Sequence, residues 1–128
     1  MKKLALIFTL LFSTVVFSST SFAGWTKMAV VKDGSTYYVD FERIRKRGGY
    51  VYYWDLQDLL KPNSEFLSGQ RYIQGDCKLF RYKILSVSVH KEPMGGGTGR
   101  IDNKPDKEWS YPAPNTVNET ILKLVCSR

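Results

Sequence analysis

The sequence is poor in the residues that most often carry catalysis or hold metal ions. Its 128 residues contain two cysteines and one histidine, His90. Two thiols and one imidazole do not make the four-ligand set that a structural zinc site prefers. His90 also has no evident acid partner in a catalytic motif, so a nucleophile–base pair is not indicated. The composition therefore predicts a protein that is not an enzyme and that carries no metal or other cofactor.

The sequence also lacks an apolar run long enough to span a membrane. Leu4 to Phe17 is almost entirely apolar, but it is shorter than the roughly 20 residues that a spanning helix needs. Two lysines precede this run, and Ser21-Phe22-Ala23 then supplies the small-x-small pattern of a signal-peptidase site. We therefore predict that residues 1–23 are a cleaved secretory signal peptide. Residues 24–128 would form the mature protein, without a transmembrane segment.

The sequence also lacks a cysteine at which a lipid could be attached. No cysteine follows the apolar run, so the chain lacks the residue that is lipid-modified in bacterial lipoproteins. We expect an exported protein without a lipid anchor, located in the periplasm or on the outer surface of a Gram-negative bacterium.

The two cysteines that are present, Cys77 and Cys126, both lie in the predicted mature chain. An even number of cysteines in an oxidising compartment predicts one disulfide bond. Closing a loop of this length stabilises a protein by at most about 4 kcal/mol in the chain-entropy model. Such a bond would matter for a small single domain, whose core is only modestly stabilising.

Positive charge is in excess. The formal net charge is +7 at pH 7, and it falls to +5 without Lys2 and Lys3. A basic surface favours an acidic partner, which here means an acidic polymer of the cell envelope or an anionic protein. Export argues against nucleic acid as the partner.

The strongest strand signal is Tyr50–Leu56, which follows two glycines. Tyr50, Tyr52, Trp54 and Leu56 fall on one face of this strand, and that face is apolar and broad. Aromatic and β-branched side chains suit a pleated, half-buried surface. We therefore predict the central strand of a sheet, around which the core forms.

The chain ends in a helical pattern. Thr116 and Glu119 form a capping box, and apolar residues follow at the spacing of one helix face. A disulfide from Cys126 to Cys77 would pin this helix against the sheet. The elements together predict a single α+β domain with an antiparallel sheet and a C-terminal helix. The apolar helix positions are Val117, Ile121, Leu124 and Val125. The other predicted elements are strands over 25–31, 36–39, 66–73 and 80–89, a solvated turn over 45–49 and a loop over 91–107.

A group of basic residues is the main candidate for partner binding. Guanidinium groups bind carboxylates and sulfates in a bidentate manner, so a cluster of them would hold an acidic polymer or an acidic protein segment. The alternative is a solvated turn whose charges keep an edge strand from aggregating. The cluster in sequence is Arg43, Arg45, Lys46 and Arg47, and the sheet could add Arg71, Arg81 and Lys83.

Aromatic residues are the second candidate. Tyr and Trp are favoured at recognition surfaces, and strand alternation places about half of them away from the helix-covered core. A homodimer interface or a ligand platform would cover the outward residues, and we count Tyr53 among the candidate partner contacts. The set is Tyr37, Tyr38, Tyr50, Tyr52, Tyr53, Trp54 and Tyr72.

Short motifs along the mature chain resemble the bacterial surface-adhesin protein E family. They are Gly24-Trp25-Thr26-Lys27, Tyr37-Tyr38-Val39-Asp40, Ile44-Arg45-Lys46, Gly48-Gly49-Tyr50-Val51, Asp76-Cys77, Pro93-Met94-Gly95 and Val125-Cys126-Ser127-Arg128. The resemblance implies an antiparallel sheet of about six strands, a C-terminal helix tethered by the disulfide and a tendency to dimerise. It also implies adhesion to host matrix or serum proteins. The alternative is a periplasmic structural or envelope-associated protein with no host partner.

Overall fold

The computed structural model describes residues 24–59 and 65–128, so the predicted signal peptide lies outside the described residues. The described chain forms one antiparallel sheet, two short 3₁₀ turns and one helix. The strands are β1 (Trp25–Val30), β2 (Thr36–Asp40), β3 (Arg45–Arg47), β4 (Tyr50–Asp58), β5 (Ser68–Asp76), β6 (Arg81–His90) and β7 (Gly99–Asp102). The 3₁₀ turns are Phe41–Arg43 and Pro93–Gly95, and the helix α1 is Val117–Cys126.

The strands lie in the order β1-β2-β4-β5-β6-β7, and the short β3 pairs with β4 beside β2. β4 is long enough to hold both neighbours, because β2 pairs with its second half and β3 with Tyr50–Tyr52. The predicted fold class is confirmed: one antiparallel sheet carries a C-terminal helix, and the sheet has one strand more than about six.

The segment before β4 differs from its prediction. Residues 45–49 were expected to form a solvated turn, but Arg45–Arg47 is a strand that pairs with β4. The turn consists of Gly48 and Gly49, whose φ values of 57° and 84° are left-handed. A two-residue turn with positive φ at both positions suits the twist of a hairpin, so the basic residues can pair as a strand.

The core lies between the sheet and α1. Val51, Tyr53 and Ile73 project from the sheet and pack in one buried cluster with Ile121 and Leu122 of the helix. Gly75 makes room for this contact, because a Cβ atom there would lie 2.9 Å from Leu122 Cδ1. We call this side of the sheet the helix side.

The predicted core face of β4 was therefore wrong in part. Tyr50, Tyr52 and Trp54 are half-buried and lie opposite the helix, while the alternate residues Val51 and Tyr53 enter the core. The helix packs where Gly75 and the β-branched Val51 leave space for it, and the large rings remain on the other side. We call that other side the open face. Leu56 belongs to the open-face row but is fully buried.

The helix begins at its predicted capping box, with one change in its apolar stripe. The Thr116 hydroxyl accepts a hydrogen bond from the backbone N–H of Glu119 at 3.2 Å. Ile121 and Val125 are buried, but Leu124 is 37% exposed and Leu122 takes its place against the sheet. The Cys77–Cys126 disulfide is present, with the two Cα atoms 5.6 Å apart.

The segment 91–107, predicted as a loop, contains a strand and a 3₁₀ turn. β7 pairs with the last residues of β6, and the turn Pro93–Gly95 folds back onto β4 and β5. Met94 N–H donates to Asp58 Oδ1 at 2.9 Å, and Gly95 N–H donates to Ser68 Oγ at 2.8 Å. Asp58 and Ser68 belong to the open-face rows, so this turn covers the end of the open face beyond Leu56.

Candidate functional site

The uncovered part of the open face brings four neighbouring strands together. In an antiparallel sheet, directly paired residues share a face. The register pairs Arg45 with Tyr52, Trp54 with Tyr72, and Gln74 with Lys83, so β3, β4, β5 and β6 all contribute side chains to it. Cationic residues on the outer strands flank aromatic residues on the inner ones.

An aromatic band runs along the middle of this face. Trp54 and Tyr72 have ring centroids 4.7 Å apart, and Tyr52 and Tyr72 have theirs 6.2 Å apart. These separations are typical of favourable ring pairs. Gln74 Nε2 also donates to the Tyr52 hydroxyl at 3.3 Å, so the band is held by both ring packing and a hydrogen bond.

Two arginines lie on the rings of this band. The guanidinium carbon of Arg43 is 5.6 Å from the Trp25 centroid and 5.4 Å from the Trp54 centroid, so it bridges the two indoles. That of Arg47 is 4.4 Å from the Tyr52 centroid. Cations at these distances are attracted to the ring face by about 0.5–1 kcal/mol at exposed sites. The rings therefore orient both arginines. The Nε–H of Arg43 also donates to the Asp40 carboxylate, whereas Arg47 keeps its N–H donors available.

A second cluster forms around Trp109, at the β6 side of the face. Its ring lies 5.5 Å from that of Tyr50, and it also receives the Arg81 guanidinium at 4.3 Å and the Lys83 ammonium at 4.9 Å. Trp109 comes from the chain beyond β7, where Ser110 bridges to Tyr82. The two clusters together form one surface of alternating cations and rings, which we call the cation–aromatic face.

The acidic groups near this face are already paired. Asp40 binds Arg43, and Asp76 binds Arg81 at 2.9 Å. Both carboxylates are buried, and Arg43 and Arg81 are partly neutralised by them. By contrast, within residues 24–59 and 65–128 no carboxylate lies within ion-pair distance of the three remaining cations of the face. These are Arg45, Arg47 and Lys83.

Arg71, a predicted partner-binding residue, belongs to the helix side instead. Its Nε and Nη2 donate to the Asp55 carboxylate at 2.9 and 2.6 Å, and Nη2 also donates to Asn118 Oδ1 at 2.9 Å. Burial alone would lower the pKa of Arg71, but the charge of Asp55 outweighs it and raises that pKa. Arg71 joins the sheet to the helix and does not reach the cation–aromatic face.

Two other predicted contacts also lie away from this face. Tyr53 was expected to contact a partner, but it is 2% exposed within the core, and its burial raises the pKa of its hydroxyl. A side chain without exposed surface cannot contact a partner directly. Lys46 projects to the helix side, where its Nζ donates to the Arg128 carbonyl at 2.8 Å. The alternation of β3 separates Lys46 from Arg45 and Arg47.

The single histidine lies beside a hydroxyl. His90 Nε2 is 2.9 Å from Ser88 Oγ, and its Nδ1 has no hydrogen-bond partner in the part of the chain that the structure describes. An orienting carboxylate would bind Nδ1 in a Ser–His–acid arrangement, and no described residue occupies that place. Among the described residues, no cluster of three or more His, Cys, Asp and Glu side chains has the geometry to hold a metal ion.

A family model described as surface-adhesin protein E matches residues 25–127. The chain belongs to the surface-adhesin protein E family. This match runs from Trp25, the first residue of β1, past the last residue of α1. Membership in this family supports a surface adhesin, and it suggests a non-enzymatic role.

Solved structures of Haemophilus influenzae protein E share the fold of this adhesin-family domain. Crystal form II has 18% sequence identity and a TM-score of 0.64, over 85% of this chain and 91% of the other. The selenomethionine form has 18% identity and a TM-score of 0.65, over 86% and 91%. Protein E from non-typeable Haemophilus influenzae has 18% identity and a TM-score of 0.59, over 85% and 79%. No curated protein matches the chain.

Family membership implies an exported surface protein that binds host proteins. Within the described ranges, no helix is both long and apolar enough to cross a bilayer. Trp109, which organises half of the cation–aromatic face of this adhesin-family domain, was missed by sequence reasoning, because it lies outside any periodic strand or helix pattern. Of the predicted residues, the structure brings together Arg43, Arg45, Arg47, Arg81 and Lys83 with Tyr50, Tyr52, Trp54 and Tyr72.

Proposed function

We propose that this protein is an exported, non-catalytic binding module. It acts as a surface adhesin and binds acidic segments of host matrix or serum proteins through the cation–aromatic face. The observation that carries this proposal is a set of three cations on a face built from stacked rings. Among the described residues none of the three, Arg45, Arg47 and Lys83, has a carboxylate partner. Family membership supports the adhesin role.

The geometry of this face suits a carboxylate-bearing partner. Arg47 is held by the Tyr52 ring and Lys83 by the Trp109 ring, so these side chains lose less rotamer freedom on binding than free lysines or arginines would. Arginine donates two parallel hydrogen bonds to a carboxylate, which adds geometric specificity to charge attraction. The rings between the cations offer apolar area to the stem of an acidic side chain or to a neighbouring aromatic residue.

The same charges disfavour a homodimer in which two cation–aromatic faces meet. A twofold interface places the same patch on both copies, so it would bring Arg45, Arg47 and Lys83 of each copy against cations of the other. When they are desolvated, like charges that face each other across an interface cost on the order of several kcal/mol. An acidic partner removes this cost, and we therefore assign the face to a ligand.

Charge reversal on the two sides of β3 tests the proposal. Arg45 and Arg47 lie on the open face, and Lys46 between them lies on the helix side. We expect Arg45→Glu combined with Arg47→Glu to weaken binding to immobilised matrix and serum proteins by at least about tenfold. Lys46→Glu is a change on the same strand that alters the net charge by half as much. It should leave the binding affinity within about twofold of wild type.

Two results would overturn this assignment. Binding that survives the double reversal would remove the cation–aromatic face from recognition, and an equal loss with Lys46→Glu would show that net charge alone attracts the partner. Wild-type affinity should also fall as salt is raised from about 50 to about 300 mM, because the added salt shortens the Debye length to below about 10 Å and screens exposed charges. Binding to none of the host proteins or envelope polymers would refute the adhesin role itself.

The proposed location is the outer cell surface, reached by export without a lipid anchor. Protease treatment of intact cells, followed by mass spectrometry, tests this location against a periplasmic control protein. Cleavage of this protein while the control survives would support the surface. Survival of both would favour the periplasmic structural or envelope-associated alternative, whose partners would be envelope components.

A further inference from the structure

A cavity lies beside the disulfide bond, where the hairpin of β3 and β4 turns. Its volume is about 340 Å³, which falls within the range of roughly 300–1,000 Å³ that is typical of small-molecule sites. Cys77 and Cys126 both line it, together with residues 46–51 of the hairpin. A small molecule in this cavity would therefore lie against the two cysteines.

The disulfide is accessible at one of its two residues. Cys77 is exposed, whereas Cys126 is half-buried on α1. Gly48 and Gly49 leave the rim of the cavity open, because a Cβ atom at either would meet no described atom within 4 Å beyond its immediate neighbours. Exposed disulfides are the ones that thiols reduce most readily, while the structural bonds of secreted proteins resist. An external thiol would therefore meet Cys77 first.

The cavity carries positive charge. Lys46 and Arg47 line it, and neither forms an ion pair with an aspartate or glutamate among the described residues. Lys46 Nζ donates to the Arg128 carbonyl at 2.8 Å, which uses one of its three N–H donors. The nearest acid in the sequence, Asp76, is already bound by Arg81 at 2.9 Å. Such surroundings attract anions and favour a thiolate over a thiol.

We propose that the Cys77–Cys126 bond is a thiol-exchange site for small thiol peptides that carry carboxylates, which are thiols of the glutathione class. The thiolate of the peptide attacks Cys77 Sγ and forms a new disulfide bond with it. The original bond breaks, and its electron pair leaves with Cys126 Sγ, which takes a proton from water. The products are a mixed disulfide on Cys77 and a free thiol on Cys126, while the carboxylates of the peptide lie beside Lys46 and Arg47.

The exchange is reversible, because the packing of α1 holds the second cysteine nearby. Ile121 and Val125 are fully buried against the sheet, so the helix stays in place when the bond opens. The Cys126 thiol then remains within reach of the mixed disulfide, and as a thiolate it can attack Cys77 Sγ and release the peptide thiol. The fraction of modified protein therefore follows the concentration of the thiol peptide around the protein.

Exchange with a charged and a neutral thiol tests the proposal. The full chain, purified from the cell envelope, is incubated without denaturant in reduced glutathione or in mercaptoethanol. Free thiols are trapped with N-ethylmaleimide at intervals, and the products are mapped by mass spectrometry. We expect glutathione on Cys77 and maleimide on Cys126. Resistance of the folded protein to both thiols, or glutathione found mainly on Cys126, would overturn the proposal.

Lys46 should set the preference for the charged thiol. Lys46→Glu should lower the ratio of the glutathione rate constant to the mercaptoethanol rate constant by about threefold or more. The ratio removes any change in access to the bond, since both thiols need the same access. Arg45→Glu is the matched control, because it changes the net charge equally on the same strand, but Arg45 lies on the open face and does not line the cavity. Equal effects of the two variants would overturn the site.

Attack through the cavity should not require unfolding. Arg71→Met removes the hydrogen bonds that join the sheet to the start of α1, at the opposite end of the helix from Cys126. Its rate constant with glutathione should stay within about twofold of wild type, because the cavity is unchanged in the folded state. An acceleration of about tenfold or more would show that exchange follows the unfolded population, and it would overturn the proposal.

Modification of Cys77 would also regulate the cation–aromatic face, a consequence that rests on the proposed function. Arg47 belongs to both sites, since it lines the cavity and its guanidinium carbon lies 4.4 Å from the Tyr52 ring centroid. The carboxylates of a bound glutathione would therefore compete with an acidic partner for Arg47. Cys126→Ser supplies stable forms for this test, because its Cys77 thiolate displaces one glutathione from oxidised glutathione and the mixed disulfide cannot reclose.

Binding to a host protein is then compared among three forms of Cys126→Ser, which carry a free Cys77 thiol, a neutral mercaptoethanol adduct or a glutathione adduct. Only the glutathione adduct should bind more weakly, by about threefold or more. Equal binding by all three forms would overturn the regulation. If the unmodified wild type bound no host protein either, the proposed function would fail, and the exchange kinetics would decide the thiol site alone.

Discussion

Arg71 and Asp55 form a two-bond ion pair beneath the first turn of α1, with Nε–Oδ1 and Nη2–Oδ2 distances of 2.9 and 2.6 Å. Asp55 is 2% exposed. Asn118 on the helix accepts a third hydrogen bond from Arg71, and its own side-chain amide donates to the Tyr82 hydroxyl at 3.1 Å. This polar network fixes the start of the helix over the sheet.

Replacing Arg71 should therefore cost stability without affecting partner binding. Arg71→Met leaves the Asp55 carboxylate buried without its cation, and we expect the free energy of unfolding to fall by about 2–4 kcal/mol. Urea denaturation measures this loss. Because Arg71 lies on the helix side, the folded variant should retain wild-type affinity for host proteins. Weaker binding by a fully folded Arg71→Met would contradict its exclusion from the cation–aromatic face.

Gly75 should tolerate no larger side chain. A Cβ atom there would lie 2.9 Å from both Leu122 Cδ1 and Val51 Cγ1, which belong to the packed core. We expect Gly75→Ala to lower the free energy of unfolding by about 1–3 kcal/mol, since overpacking forces neighbours to shift. Gly69→Ala on the same strand is the matched control, because its nearest contact would be 3.5 Å away. Equal stability of the two variants would argue against close packing of the helix on β5.

Loss of the disulfide should destabilise the domain and free the end of α1. Cys77 and Cys126 are separated by 49 positions, and closing such a loop stabilises by about 4 kcal/mol at most in the chain-entropy model. Replacing both cysteines by serine should lower the denaturation midpoint, and hydrogen exchange should quicken first at the C-terminal turn of the helix. Unchanged exchange there would show that burial of Ile121 and Val125 holds the helix without the bond.

Asp76 should make the free energy of unfolding depend on pH in the acidic range. Burial would raise the pKa of Asp76, but hydrogen bonds from the Leu79 N–H, the Arg81 guanidinium and the Lys78 N–H outweigh it and lower that pKa. A folded-state pKa below the unfolded one gives stability that is present above about pH 4 and is lost as pH falls through the folded value.

The variant Asp76→Asn isolates this contribution. It should be less stable than wild type near neutral pH by about 1–3 kcal/mol, and the difference should shrink as urea denaturation is repeated down to about pH 2. Glu65→Gln, at an exposed carboxylate, serves as the control and should show no such convergence. A difference for Asp76→Asn that stays constant with pH would mean that the lost hydrogen bonds, and not the charge, dominate.

Local signals in the sequence were sufficient to predict the elements that have a strong apolar periodicity or a capping residue. The capping residue Thr116 and the alternation from Tyr50 onward predicted α1 and β4, because these patterns act over a few neighbouring residues. β7 was missed, since Gly99–Asp102 has no strand periodicity of its own and forms by pairing with the finished edge of β6. Edge pairing is a property of the assembled sheet.

The candidate site shows the same division. The sequence by itself determined which residue types are available. It has a basic cluster beside an aromatic strand, two cysteines that can tether the helix by a disulfide bond, and few residues of the types that carry catalysis. It could not say which face of β4 would be covered. Alternation makes two faces, and the choice between them depends on where α1 finds space, which Gly75 supplies from a different strand.

Tertiary structure therefore decided which of the predicted residues act together. Arg71, Lys46 and Tyr53 lie on the helix side of the sheet. Trp109, from a distant segment, lies beneath Arg81 and Lys83. The physical reason is that strand pairing sets the face of each side chain through register, while register is fixed by hydrogen bonds between segments far apart in the chain. Composition determines the chemistry that is available, and register determines where it is displayed.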